Sequence, residues 1–151
     1  MNNVSMKLSE HFSLAEMCKT SANLDNVPNE AQVENLKRLC GWLEMLRSEW
    51  NKRYGEGNDP IIINSGFRSE AVNKAVGGVK GSNHLSGCAA DIRVASIEQL
   101  VRYATILLDI SDESQEDFDE LLLERSPKGN YWLHFAVRPS GNRRKVRLIQ
   151  T

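Results

Sequence analysis

The stretch GSNHLSGCAADIR, Gly81 to Arg93, combines a turn signal, a strand pattern and polar residues that suit a metal ion. Gly87 permits the turn, because glycine alone reaches positive φ without steric cost. The residues after it predict a short strand. His84 and Asp91 are separated by seven positions, and a loop that turns into a strand would let both side chains reach one metal ion.

Side chains alternate along such a strand, so Asp91 shares its face with Ala89 and Arg93. The small side chain of Ala89 leaves room beside a metal. The opposite face is predicted to enter the core and carries Cys88, Ala90, Ile92 and Val94.

A third candidate ligand lies in YWLHFAV, Tyr131 to Val137, a strand pattern rich in aromatic and branched residues. His134 shares a face there with Trp132 and Ala136. Two histidines and one aspartate are usual zinc ligands, and three protein ligands leave a position open, as in catalytic zinc sites. We therefore predict one Zn²⁺ held by His84, Asp91 and His134.

The pattern S-x-H-x-x-G-x-A-x-D, from Ser82 to Asp91, followed by W-x-H ending at His134, resembles the zinc D-Ala-D-Ala carboxypeptidase family, peptidase family M15. SGFRS, Ser65 to Ser69, matches a further family element. The N-terminal HFSLAEM and the run from FDELLLE to YWLHFAVRPSGNRR are similar to the short single-domain phage and bacterial branch, so the resemblance covers residues 12–144. It implies an α+β fold with a small central antiparallel sheet and helices packed on it, like that of the D-Ala-D-Ala peptidases and their Hedgehog relative.

The resemblance also implies peptide hydrolysis, which needs a general base. Many family members carry an acidic residue three positions before the last histidine, where this chain has Tyr131. Our candidate is Glu124, which would lie beside His134 if its strand pairs with Tyr131–Val137. Glu120 is the next candidate, and Tyr131 could contribute a hydroxyl.

Three further residues are candidates for contact with substrate. The guanidinium of Arg68 offers a rigid fork of donors for a substrate carboxylate or an oxyanion; the alternative is an internal salt bridge. Ser82 would either bond substrate or orient the His84 loop. Trp132 would wall the site or belong to the core.

Composition limits the function. The net charge is −1 over 151 residues, so no excess of positive charge indicates nucleic-acid binding. No apolar run is long enough to span a membrane. The three cysteines, Cys18, Cys40 and Cys88, include no C-x-x-C pair and suit a reducing cytosol. The first residues show no signal-peptide pattern. We expect a monomer made in the cytoplasm that reaches the cell wall, for example as a phage or prophage lysin.

The remaining pattern predicts one domain over residues 1–151 with a loose segment over 1–11. Capping boxes at Ser13 and Ser96 predict helices to about Cys18 and Leu108, and a long helix should run from Asn29 or Glu30 to about Lys52. The other expected elements are a strand over Ile61–Asn64, a helix from Ser69 to about Val76, a surface loop over Ser111–Asp117, a strand over Phe118–Glu124 and an edge strand over Val146–Ile149.

The function expected from these residues and the resemblance is zinc-dependent hydrolysis of peptidoglycan stem peptides, as a D,D-carboxypeptidase or an endopeptidase. The alternative is a catalytically weak zinc module that binds the cell wall or belongs to a phage particle. Tyr131, in the place of the usual acid, is the observation that keeps this alternative open.

Overall fold

A computed structural model of the protein describes residues 6–151. It contains four α-helices, one 3-10 helix and five strands among these residues. In chain order they are α1 (Leu14–Met17), α2 (Glu30–Arg53), β1 (Ile63–Ser65), α3 (Glu70–Ala75), the 3-10 helix (Asn83–Ser86), β2 (Ala89–Arg93), α4 (Ile97–Ser114), β3 (Glu120–Arg125), β4 (Tyr131–Ala136) and β5 (Lys145–Gln150).

The strands form one sheet in the order β1-β2-β4-β3-β5. The first four are antiparallel to their neighbours, whereas β5 pairs in parallel with β3. The predicted α+β class with helices packed on a small sheet is confirmed. The sheet is mixed rather than wholly antiparallel. After β4 the chain crosses back to the start of β3, so β5 runs in the same direction as β3. The Lys145 N–H bond to the Asp119 carbonyl marks this crossing.

The two faces of the sheet differ in chemistry. One face carries Ile92, Leu121, Leu133 and Phe135, all completely buried, and it packs with α2 and α4 into a single hydrophobic cluster. The opposite face carries Asp91, Glu120, Glu124 and His134, which the alternation of each strand places together. The first face is the core, and the second is the platform for the polar site.

The long helix α2 forms where its apolar stripe predicts. Asn29 caps it in a complete capping box with Gln32, and the stripe from Leu36 to Trp50 is buried. This helix holds the polar site from the side: Gln32 Nε2 donates to the Leu85 carbonyl and Asn35 Nδ2 to the Ser86 carbonyl, at 3.1 and 2.9 Å.

Two further sequence predictions need correction. Helix α4 continues to Ser114, where a surface loop from Ser111 was predicted. Its buried stripe extends through Ile110 and Ser111, so the acidic residues after them occupy the exposed side of the last turn. Gln115 is the C-cap that follows the helix, and it is in the left-handed region with φ 59°.

The sequence predicted a loose segment over residues 1–11. Positions 1–5 of this segment lie outside the described residues. From Met6 onward the chain is held in place. The Met6 carbonyl accepts from the Leu14 N–H, Leu8 is buried, and the Ser9 hydroxyl donates to Glu44 of α2 at 2.6 Å. That part of the prediction is wrong, because one buried leucine and one carboxylate anchor a stretch that looks polar in the sequence.

The hydrophobic cluster draws on residues from Leu8 to Val137, and the single domain over residues 1–151 stays a prediction. Within the described residues, no helix is both long enough and apolar enough to cross a membrane.

Candidate metal centre

The strand register brings the predicted ligands together. Asp91 on β2 pairs directly with His134 on β4, so the two side chains share one face of the sheet. His84 reaches the same point from the 3-10 helix that precedes β2. His84, Asp91 and His134 each offer a ligand atom, and these atoms lie within 4.8 Å of one another. All three predicted residues therefore meet in one place.

The loop that carries His84 is fixed at both ends. The Ser82 hydroxyl oxygen accepts from the His84 N–H at 3.1 Å and caps the 3-10 helix. At the other end Gly87 has φ 76°, and a Cβ there would lie 2.6 Å from the Gln32 carbonyl oxygen. Gly87 is therefore required both for the turn, as predicted, and for the close approach of α2. The contact of Ser82 favours the loop-orienting alternative of its two predicted roles.

The ring of His84 is oriented by a backbone carbonyl. Its Nδ1 lies 2.6 Å from the Gly66 oxygen, and since a carbonyl only accepts, Nδ1 carries the hydrogen. This leaves the lone pair on Nε2, which lies 3.4 Å from Asp91 Oδ1. No larger residue fits at Gly66 without a shift of the backbone, because a Cβ there would collide with the Met17 carbonyl oxygen.

Asp91 divides its two oxygens between histidines and arginine. Oδ1 faces both His84 and His134, while Oδ2 accepts from Arg68 Nη2 at 3.3 Å. Burial would raise the pKa of Asp91, but the adjacent imidazole rings of His134 and His84 outweigh it and hold the pKa well below its usual range. The carboxylate is therefore ionised and can bind a cation.

Arg68 makes the internal salt bridge that was one of its two predicted roles. Besides Asp91, its Nε donates to the Ser65 hydroxyl at 3.1 Å and its Nη1 to Asn73 Oδ1 at 3.3 Å. These bonds use three of the five N–H groups of a guanidinium. The other two keep the predicted contact with substrate open.

His134 lies between two carboxylates. Its Nδ1 is 3.1 Å from Asp91 Oδ1, and its Nε2 is 3.0 Å from Glu120 Oε1. Burial would lower the pKa of His134, but the bonds to Asp91 and Glu120 outweigh that effect and raise the pKa to about 9. The surroundings of this ring therefore favour positive charge, whether a proton or a metal ion.

Glu124 lies on the site face of the sheet, opposite Trp132 and on the same side as His134. Its side chain is half-buried, and burial raises its pKa above the usual value. Tyr131 alternates to the other face, where it packs against the hydrophobic core. The Tyr131 side chain therefore does not share the face of the sheet that carries His134, whereas the Glu124 side chain does. The role of Glu124 as general base stays a prediction.

The comparisons with known proteins agree with this geometry. The sequence profile of peptidase M15 matches residues 10–109, more than half of the chain. The chain belongs to the peptidase M15 family. It is also 46% identical over 44 residues to the zinc D-Ala-D-Ala carboxypeptidase of Streptomyces albus G, an alignment that covers 29% of this chain and 17% of that protein. The chain thus matches less than a fifth of the relative's length.

The M15 profile match includes His84 and Asp91 but ends before β3 and β4. The third candidate ligand and the candidate base therefore depend on the strand pairing. The donor set fits zinc by its chemistry: two imidazole nitrogens and one carboxylate oxygen, with the His84 ring already oriented by its other nitrogen.

The M15 site also contains residues that the sequence did not indicate. Asp119 is completely buried and accepts from Arg143 through Nε and Nη2, at 3.0 and 2.8 Å. Asn83 Nδ2 donates to both Asp119 and Glu120, each at 2.8 Å. The only available signal was position, since Asn83 precedes a candidate ligand and Asp119 precedes a strand.

Proposed function

We propose that this M15 protein is a zinc-dependent peptidase that hydrolyses peptide bonds in peptidoglycan stem peptides. The observation that carries the proposal is the convergence of His84, Asp91 and His134, with Glu124 on the same face of the sheet. When bound there, zinc would acidify water and polarise the scissile carbonyl. The name of the Streptomyces albus G relative supports a D-Ala-containing substrate.

Glu124 acts as the general base in this proposal. It takes a proton from the attacking water and then gives that proton to the leaving amine, so one carboxylate carries out both proton transfers. A raised pKa suits this exchange, because a carboxylate that holds a proton more tightly is a stronger base. Trp132, opposite Glu124 in the strand pair, walls the site on that side.

Arg68 binds the substrate carboxylate or stabilises the developing oxyanion through the N–H groups that Ser65, Asn73 and Asp91 do not use. The same residue holds Asp91, so its replacement would affect both binding and the metal. Ser82 contributes to substrate binding only indirectly, by fixing the loop of His84. The proposal includes a monomer that acts on the cell wall and binds neither nucleic acid nor membrane.

The test is mass spectrometry of products from purified peptidoglycan fragments, with and without a zinc chelator. A single chelator-sensitive product is expected, and its mass identifies the bond. Glu124→Gln keeps the shape of the side chain and removes the base, so the rate should fall by about 10²–10⁴-fold while zinc stays bound. Glu56→Ala, in an exposed turn, is the matched control. No cleavage by the wild-type protein with one zinc per chain would contradict the proposal.

A zinc module without catalytic activity is the second candidate, because Tyr131 stands where many relatives have an acid and its side chain packs into the core. Such a module would bind peptidoglycan without cutting it, and chelation would destabilise the fold. Glu124→Gln would then leave wall binding unchanged. Binding to purified cell walls without release of any peptide product would favour this module, whereas release of a peptide product would favour the peptidase.

A further inference from the structure

We propose that Glu120 is a positioning residue that fixes His134 by accepting its Nε2–H, so that Nδ1 faces the metal position. This inference rests on the proposed zinc site and assigns no catalytic step to Glu120. It concerns a carboxylate that the sequence offered only as a second candidate for the base.

The two nitrogens of His134 have different surroundings. Nδ1 faces Asp91 Oδ1, the oxygen that also faces His84 Nε2, so Nδ1 belongs to the cluster of candidate ligand atoms. Nε2 points away from that cluster to Glu120 Oε1 at 3.0 Å. A neutral imidazole that binds a metal through one nitrogen carries its hydrogen on the other. Glu120 is therefore the acceptor that selects this tautomer.

Glu120 is itself held in place. Its side chain is only 15% exposed, and Oε1 also accepts from Asn83 Nδ2 at 2.8 Å. Arg143 Nη2 lies 3.7 Å from the other oxygen, Oε2. The carboxylate therefore cannot turn away from His134 without breaking a second bond in a nearly buried place.

The support extends to the loop of the other histidine. Asn83 directly precedes His84, and its Oδ1 accepts from Arg138 Nε at 3.0 Å. One amide thus joins the loop that carries His84 to the strand that orients His134. Because Glu120 already serves two donors, Glu124 remains the carboxylate with the freedom to accept a proton from water.

The test is zinc affinity, measured by competition with a chromophoric chelator and without any peptide. Glu120→Ala should weaken zinc binding by about 10–100-fold, the usual effect of removing such a partner. Glu120→Gln keeps an acceptor oxygen and should lose less than Glu120→Ala. Glu56→Ala removes an exposed carboxylate and should match wild type. Circular dichroism checks that each variant is folded.

A second measurement needs no variant. The chain has only three histidines, so a long-range ¹H–¹⁵N spectrum of the zinc-loaded wild type should resolve each ring. His134 is expected to carry its hydrogen on Nε2, and His84 on Nδ1. The inference is overturned if His134 carries it on Nδ1, or if folded Glu120→Ala binds zinc as tightly as wild type. Either result leaves peptide hydrolysis untouched, so failure of this inference is distinct from failure of the proposed peptidase.

Discussion

The two faces of β4 show how one strand serves both stability and chemistry. Leu133 and Phe135 point into the core, where Phe135 packs on Trp42 and Phe118 with ring centroids 5.4 and 5.7 Å apart. Between them, His134 points to the opposite face and contacts two carboxylates. Both kinds of side chain are buried, but the first kind is held by apolar packing and the second by hydrogen bonds.

Because of this difference, we expect substitutions on the two faces of β4 to affect different properties. A change on the core face should lower stability and leave the affinity of folded protein for zinc intact. A change on the site face should alter metal binding first. Variants on each face test this separation.

The largest effect is expected from Asp91→Ala. It removes the oxygen that faces both histidines, so zinc affinity should fall by more than about 100-fold, beyond the loss from an outer partner, and hydrolysis should stop. Metal content after dialysis and product analysis measure both. Asp117→Ala, at an exposed carboxylate, is the control. One retained zinc per chain in Asp91→Ala would remove Asp91 from the ligand set.

Phe135→Ala should lower the free energy of unfolding by about 3–5 kcal/mol, because it leaves a cavity between Trp42 and Phe118. Urea unfolding measures the loss, and zinc content of the folded fraction should be unchanged. Leu148→Ala on β5 is the control, since Leu148 is 83% exposed. A loss of zinc without a loss of stability would contradict the separation of the two faces.

Asp119→Asn tests a buried carboxylate beside the site that accepts hydrogen bonds from Asn83 and Arg143. Burial would raise the pKa of Asp119, but the bonds from Arg143 and Asn83 outweigh it and lower the pKa from 3.8 to about 2. A lowered pKa means that the stabilisation is complete above the unfolded value and disappears as pH falls through about 2. The variant should therefore lose about 1.5–3 kcal/mol at neutral pH, the range for hydrogen bonds to charged groups.

Urea unfolding at neutral and acidic pH measures this effect. The gap between wild type and Asp119→Asn should narrow as pH falls toward the lowered pKa. Asp112→Asn, whose partner Arg144 is also on the surface, should show a smaller gap. A gap that stays constant with pH would mean that the charge of Asp119 does not contribute.

The smallest effect is expected from Ser82→Ala. Loss of the cap on the His84 loop should cost about 0.5–1 kcal/mol and weaken zinc binding slightly. If Ser82 only orients the loop, KM for a peptide substrate stays at the wild-type value. A raised KM with normal zinc affinity would instead assign Ser82 to substrate binding.

Short-range patterns in the sequence predicted much of the fold. The caps predicted at Ser13, Ser69 and Ser96 all form, since each depends on residues three positions apart. The end of α4 and the anchoring of the N-terminal segment were missed, because both depend on residues far apart in the chain. Arg144 donates to the Ser111 hydroxyl, and Leu8 is buried in the common core.

For the candidate site, the sequence by itself indicated all three candidate ligands. His84 and Asp91 lie with Gly87 in one local motif, and His134 lies in a separate strand pattern. Only the tertiary structure decided what surrounds them. Gly66 and Glu120 lie in segments separate from that motif, and the tertiary structure brings them to His84 and His134. Hydrogen-bond partners of a buried ring depend on ångström distances between such segments, and no local pattern encodes those distances.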